Sequence, residues 1–99
     1  SYLKNLEKLY LDENKLTLVG AEYFAKSEFL TRVKHLSMNF NTIGAAGGIM
    51  ISGSENSRML KRLELEGNEL TSEGIESLAM SPNLTNIEYL NIKQNEIKD

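Results

Sequence analysis

The 99-residue chain contains no cysteine and a single histidine. Without thiols there is no disulfide, no thiolate metal site and no cysteine nucleophile. The same absence fits a reducing compartment. No run of about 18 apolar residues occurs, so no transmembrane helix is expected. No basic, apolar leader opens the chain, so no signal peptide is visible in it. Positive charge is also scarce. Eleven Lys and Arg stand against fourteen Asp and Glu, leaving −3 and a pI near 5.2. Nucleic-acid binders draw most of their affinity from a basic stripe, so the balance argues against that class. The remaining composition, 40% apolar and 25% charged, suits one small globular domain.

What the chain does have is a period of 27 residues. Leu6, Leu9, Leu11, Asn14 and Leu16 recur as Val33, Leu36, Met38, Asn41 and Ile43. They recur again as Leu60, Leu63, Leu65, Asn68 and Leu70, and again as Ile87, Leu90, Ile92, Asn95 and Ile97. Gly20, Gly47 and Gly74 share the register, as do Phe24, Ile51 and Leu78. Leu3, Leu30, Ser57 and Leu84 precede the successive blocks. Such self-similarity is the signature of a repeat architecture.

Alternation within Leu9–Leu11, Leu36–Met38, Leu63–Leu65 and Leu90–Ile92 predicts four short strands with one buried face. Strands spaced by one period must be parallel, so each needs a crossover long enough for a helix. In the third unit Thr71, Ser72 and Glu73 read as a helix start, with a carboxylate near the positive end of the dipole. Ile75, Leu78 and Ala79 then form a buried stripe, and Pro82 stops the helix. Ala21, Phe24 and Ala25 form the same stripe in the first unit. The four Asn predict a structural ladder. An amide can both donate to and accept from backbone groups that a tight turn would otherwise leave unpaired.

The pattern L-x-x-L-x-L-x-x-N-x-L resembles the leucine-rich repeat family over the whole chain. Repeat length, and a Gly followed by an apolar-Ala pair (Gly74, then Leu78 and Ala79), resemble the ribonuclease-inhibitor-like subclass. That subclass usually has repeats one or two residues longer. The resemblance implies an α/β fold: a right-handed solenoid, here a short horseshoe arc, with a parallel concave sheet and convex helices. Residues 6–32, 33–59 and 60–86 read as full repeats of one array. Residues 1–5 read as the end of a preceding repeat and 87–99 as a partial one. Uncapped ends point to a fragment of a longer array, or to self-association through those ends.

The second crossover departs from the others. Six Gly or Ser stand from Gly47 through Ser57, both included. Their low helix propensity predicts a looser helix there.

Side chains pointing away from the core should line the concave sheet in columns about 4.8 Å apart. The candidate protein-binding residues are Lys8, Tyr10 and Asp12 from the first repeat, and His35, Ser37, Asn39 and Phe40 from the second. Arg62, Glu64 and Glu66 come from the third, and Tyr89, Asn91 and Lys93 from the fourth. Lys8, His35, Arg62 and Tyr89 make a basic column. Asp12, Asn39, Glu66 and Lys93 make a mostly acidic one. Mixed charge with aromatic anchors suits a protein partner.

Sharper chemistry is not supported. Gly44, Gly47 and Gly48 suggest a phosphate loop, but Gly47 has counterparts in every full repeat and no Lys follows. His35 beside Ser37 lies on an open sheet without an oxyanion pocket or a clear orienting acid. Glu64 and Glu66 lie about 7 Å apart, yet Arg62 adjoins them and no cleft encloses them. Asn83-Leu84-Thr85 matches a glycosylation sequon, but ten Asn make one chance match expected. No motif marks Arg32, Arg58 or Arg62 as an arginine finger.

The expected function is therefore a non-enzymatic module without cofactor or metal. It would bind a protein through its concave face and would not bind nucleic acid or membrane. The alternative is the targeting segment of a larger regulator, effector or enzyme, or simply spacer repeats. A cytoplasmic setting is expected, which includes a bacterial effector delivered into a host cell.

Overall fold

The computed structural model describes residues 2–95. Each alternating block forms a three-residue strand: β1 (Lys8–Tyr10), β2 (His35–Ser37), β3 (Arg62–Glu64) and β4 (Tyr89–Asn91). They make one parallel sheet in chain order. The hydrogen-bond register equals the sequence period: Lys8 faces His35, His35 faces Arg62, and Arg62 faces Tyr89. The crossovers carry α1 (Leu18–Lys26), α2 (Gly44–Gly53) and α3 (Thr71–Ala79). Short 3-10 turns occupy Tyr2–Asn5 and Glu55–Met59.

The core lies between sheet and helices. Leu36, Met38, Leu63 and Leu65 enter it from the strands, Val33, Ile43, Leu60 and Leu70 from the flanking turns, and Phe24, Ile51 and Leu78 from the helices. All are buried, each side chain worth about 1.5–3 kcal/mol against exposure. The same positions in the first and last repeats, among them Leu6, Leu9, Leu11, Leu16, Leu84, Ile87 and Ile92, are only partly covered. Each of those repeats has a neighbour on one side among the described residues. Ile97 lies outside them.

The glycine that recurs in each full repeat answers a close approach. A Cβ on Gly47 would lie 2.6 Å from the Ile43 Cβ, and one on Gly74 3.2 Å from both the Leu70 Cβ and the Ala45 Cα. The last aliphatic residue of each block therefore crosses its helix at the glycine. Gly47 and Gly48 sit inside α2, so the glycine-rich stretch is a packing surface and forms no phosphate loop.

Propensity predicts weakness in α2, yet it runs unbroken for ten residues. Its small residues let α3 approach: a Cβ on Gly48 would meet the Gly74 Cα at 3.6 Å, and Leu70 just ahead of α3 at 3.0 Å. The turn after each strand needs one left-handed residue: Glu13 (φ 54°), Phe40 (57°), Gly67 (64°) and Gln94 (53°). Lys15 (57°) and Glu69 (58°) are left-handed too, and a further left-handed position opens α2 at Gly44 (70°) and α3 at Thr71 (60°). α1 starts differently, with the Thr17 hydroxyl accepting from the Val19 amide at 3.3 Å.

Candidate interaction face

Two side-chain ladders hold the repeats in register, and only the first is expected from the sequence. The Asn41 oxygen accepts from the Asn14 and Leu16 amides, each at 2.9 Å, while its nitrogen donates to the Leu11 and Met38 carbonyls at 3.0 and 2.9 Å. Asn68 donates to Met38 and Glu66, and Asn95 accepts from Asn68 and Leu70. Each amide thus serves the repeat before it. Asn14 is the exception. It is exposed and donates only within its own turn, to the Asp12 carbonyl at 3.0 Å.

The second ladder joins the far ends of the helices. The Ser54 hydroxyl donates to the Ala25 carbonyl at 2.6 Å, and Ser81 repeats this bond to Ser52. The Asn56 amide donates to Phe24 and Ser27, both at 2.8 Å, and Asn83 donates to Ser52 at 3.0 Å. The signal was present in the same period, as Ser27, Ser54 and Ser81 with Asn56 and Asn83. Asn83 is buried in this ladder and also accepts from Arg58 at 3.0 Å, so the sequon amide is already engaged.

Held by these ladders, the concave face carries one continuous network. The Tyr10 hydroxyl meets His35 Nδ1 at 3.1 Å, and His35 Nε2 lies 2.7 Å from Glu64 Oε2. Arg62 Nε donates to that same oxygen at 3.1 Å, and its guanidinium stacks 4.1 Å over the Tyr89 ring. The chain of contacts crosses all four strands. Burial works to raise the Glu64 carboxyl's pKa. Hydrogen bonds from His35, Arg62 and Asn39, with the Arg62 charge, outweigh it and hold the group below its ordinary value.

His35 therefore does have an acid, contrary to the sequence reading. The acid joins it to Arg62 and Tyr10, whereas Ser37 donates to Asp12 at 2.6 Å. No nucleophile–base pair forms between His35 and Ser37.

The expected binding residues divide accordingly. Lys8, Tyr10, Arg62, Tyr89 and Lys93 are exposed, Tyr10 by 58%. Ser37 and Asn91 are buried, 3% and 7% exposed, which corrects their expected place on the open surface. Their short side chains lie between longer neighbours and are bonded to Asp12 and Glu66. Asp12, Asn39, Phe40, Glu66 and Lys93 lie just past the strands, on the rim of the sheet. At the first repeat's open end, Leu3, Leu6, Leu9, Leu16, Val19 and Tyr23 line a hollow of about 510 Å³.

The sequence profile of the Leucine Rich repeat family matches residues 2–25, 30–52 and 56–79. The chain belongs to the leucine-rich repeat family. One relative of this leucine-rich repeat chain is the 187-kDa microtubule-associated protein AIR9 of Arabidopsis thaliana, 41% identical over 95 residues. The match covers 95% of the chain and only 5% of the relative's length. Among the described residues, no helix is long and apolar enough to cross a membrane.

Proposed function

We propose that this leucine-rich repeat array is a non-enzymatic module that binds a protein through its concave sheet. The observation that carries the proposal is the four-strand network, which holds Tyr10 and Tyr89 in place while leaving both rings exposed. Rigid aromatic anchors lose little freedom on binding and dominate interface energetics. The ladders beneath fix the spacing of the columns, so the surface needs no ordering before it meets a partner.

A second reading makes the array the recognition segment of a larger protein. The match to a small part of a long relative supports it, as does the apolar hollow at the first repeat. The inner repeats bury those same positions against neighbours. A cytoplasmic setting is in keeping with a microtubule-associated relative. Three convex α-helices are in keeping with the ribonuclease-inhibitor-like subclass.

The test is selection of a displayed peptide library on the wild-type chain. Selected peptides should bind a Tyr10→Ala/Tyr89→Ala variant at least tenfold more weakly, as for interface hot spots. A convex Glu73→Ala variant should bind them normally. Equal binding to all three proteins would refute the concave site.

A further inference from the structure

We propose that protonation of His35 reverses its hydrogen bond with Tyr10 and turns the concave site toward an anionic group of the protein partner. This rests on the concave-face reading and adds the control of that face by pH.

Both ring nitrogens of His35 are committed. Nε2 lies 2.7 Å from Glu64 Oε2, and Nδ1 lies 3.1 Å from the Tyr10 hydroxyl. The first contact decides the tautomer. Glu64 takes a further bond from Arg62 on the same oxygen, and its donors hold it ionised, so it can only accept. The neutral ring therefore carries its proton on Nε2, which leaves Nδ1 a bare acceptor. The Tyr10 hydroxyl must donate to it. A second proton on the ring occupies Nδ1, and the contact then survives only with Nδ1 donating and the Tyr10 oxygen accepting. The hydroxyl proton turns away from the ring, on a side chain that is open to solvent.

Charge changes in the same step. With His35 neutral, Arg62 and Glu64 cancel; with it protonated, the cluster gains one positive charge in the middle of its column. Lys8 and Tyr10 face the ring from β1, and Arg62 and Glu64 face it from β3. Next to it in the chain, Lys34 pairs with Glu7 at 3.7 Å. Asp12 and Glu66 lie further along the strands, bonded to Ser37 and Asn91. The helices stand beyond the core. The imidazole meets the Tyr10 ring edge-on, 4.8 Å between centroids, so the new charge arises against one of the two aromatic anchors. A released donor and an added positive charge favour one kind of group, a carboxylate on the partner.

The experiment repeats the peptide-library selection on the wild-type chain at about pH 5.5 and about pH 8, within and above which histidine changes charge. Peptides from the acid selection should be richer in Asp and Glu. They should bind roughly two- to fivefold more tightly at the lower pH. His35→Gln removes the chain's single histidine, and both differences should vanish with it. Nitrogen NMR of the wild-type imidazole reads the tautomer independently. Nε2 should carry the proton at the higher pH, and the Tyr10 Cζ signal should follow the His35 titration. A proton on Nδ1 at the higher pH overturns the reversal. So does concave binding with the same peptide composition at both pH values, which leaves the Tyr10–Tyr89 surface standing. If no selected peptide binds the Tyr10→Ala/Tyr89→Ala variant more weakly, both proposals fall together.

Discussion

Asn14 and Asn68 hold the same place in the first and third repeats, yet one is exposed and the other buried. Asn68 donates to the Met38 and Glu66 carbonyls and accepts from the Ile43 amide. Asn14 reaches only the carbonyl of Asp12. Identical residues at identical positions differ because one has a repeat before it to bond, among the described residues, and the other does not. Structural weight therefore comes from the neighbour as much as from the motif.

The largest expected effect breaks this contrast directly. Asn68→Ala leaves several buried backbone groups unpaired and should cost about 3–5 kcal/mol. Asn14→Ala should cost about 0.5 kcal/mol or less, the range of an ordinary surface substitution. Denaturant melts of the two variants measure the difference, and equal losses would refute the one-sided ladder. Next, Asn56→Ala should cost about 2 kcal/mol, since its amide closes two carbonyls of the preceding repeat.

The turns carry a smaller contrast of opposite sign. Gly44 and Thr71 share a left-handed backbone, which penalises a β-branched residue. Thr71→Gly should therefore stabilise the protein by about 1 kcal/mol, an increase of roughly 4–8 °C in melting temperature. A fall would mean that the Thr71 side chain contributes more than its strain removes. In the helices, neighbours should outweigh propensity. α2 packs between α1 and α3, so its amides should exchange with solvent no faster than those of α3. Faster exchange would restore the sequence-based expectation of a loose second helix.

The smallest effect concerns acid. The folded Glu64 pKa is depressed, so its contribution is complete above the unfolded value, about 4.3, and is lost as pH falls through the folded value. Glu64→Gln should lower stability at neutral pH and flatten the acid limb of the stability profile. An unchanged limb would show that the network does not favour the ionised carboxylate.

The strands and their register were legible in the sequence because the period and the hydrogen-bond offset are one quantity: residue 8 meets residue 35, which meets 62 and then 89. The concave columns followed from that. Their exposure did not, because Ser37 and Asn91 are covered by neighbours longer than themselves. The His35–Glu64 contact runs diagonally between adjacent strands, so it depends on side-chain rotamers that no periodicity records. The Ser and Asn ladder shares the 27-residue spacing and was readable in principle. The apolar blocks do not point to it, because polar residues beyond the helices have the composition of ordinary loops.

The backward reach of Asn41, Asn68 and Asn95 gives the array an arrow. Within this ladder a turn loses its side-chain partner when the next repeat is removed, whereas a repeat that loses its predecessor keeps its own turn's bonds and idles the amide that reached back. Trimming from behind and trimming from the front are therefore unequal operations. A cut between two repeats should loosen the turn on its N-terminal side and spare the one on its C-terminal side.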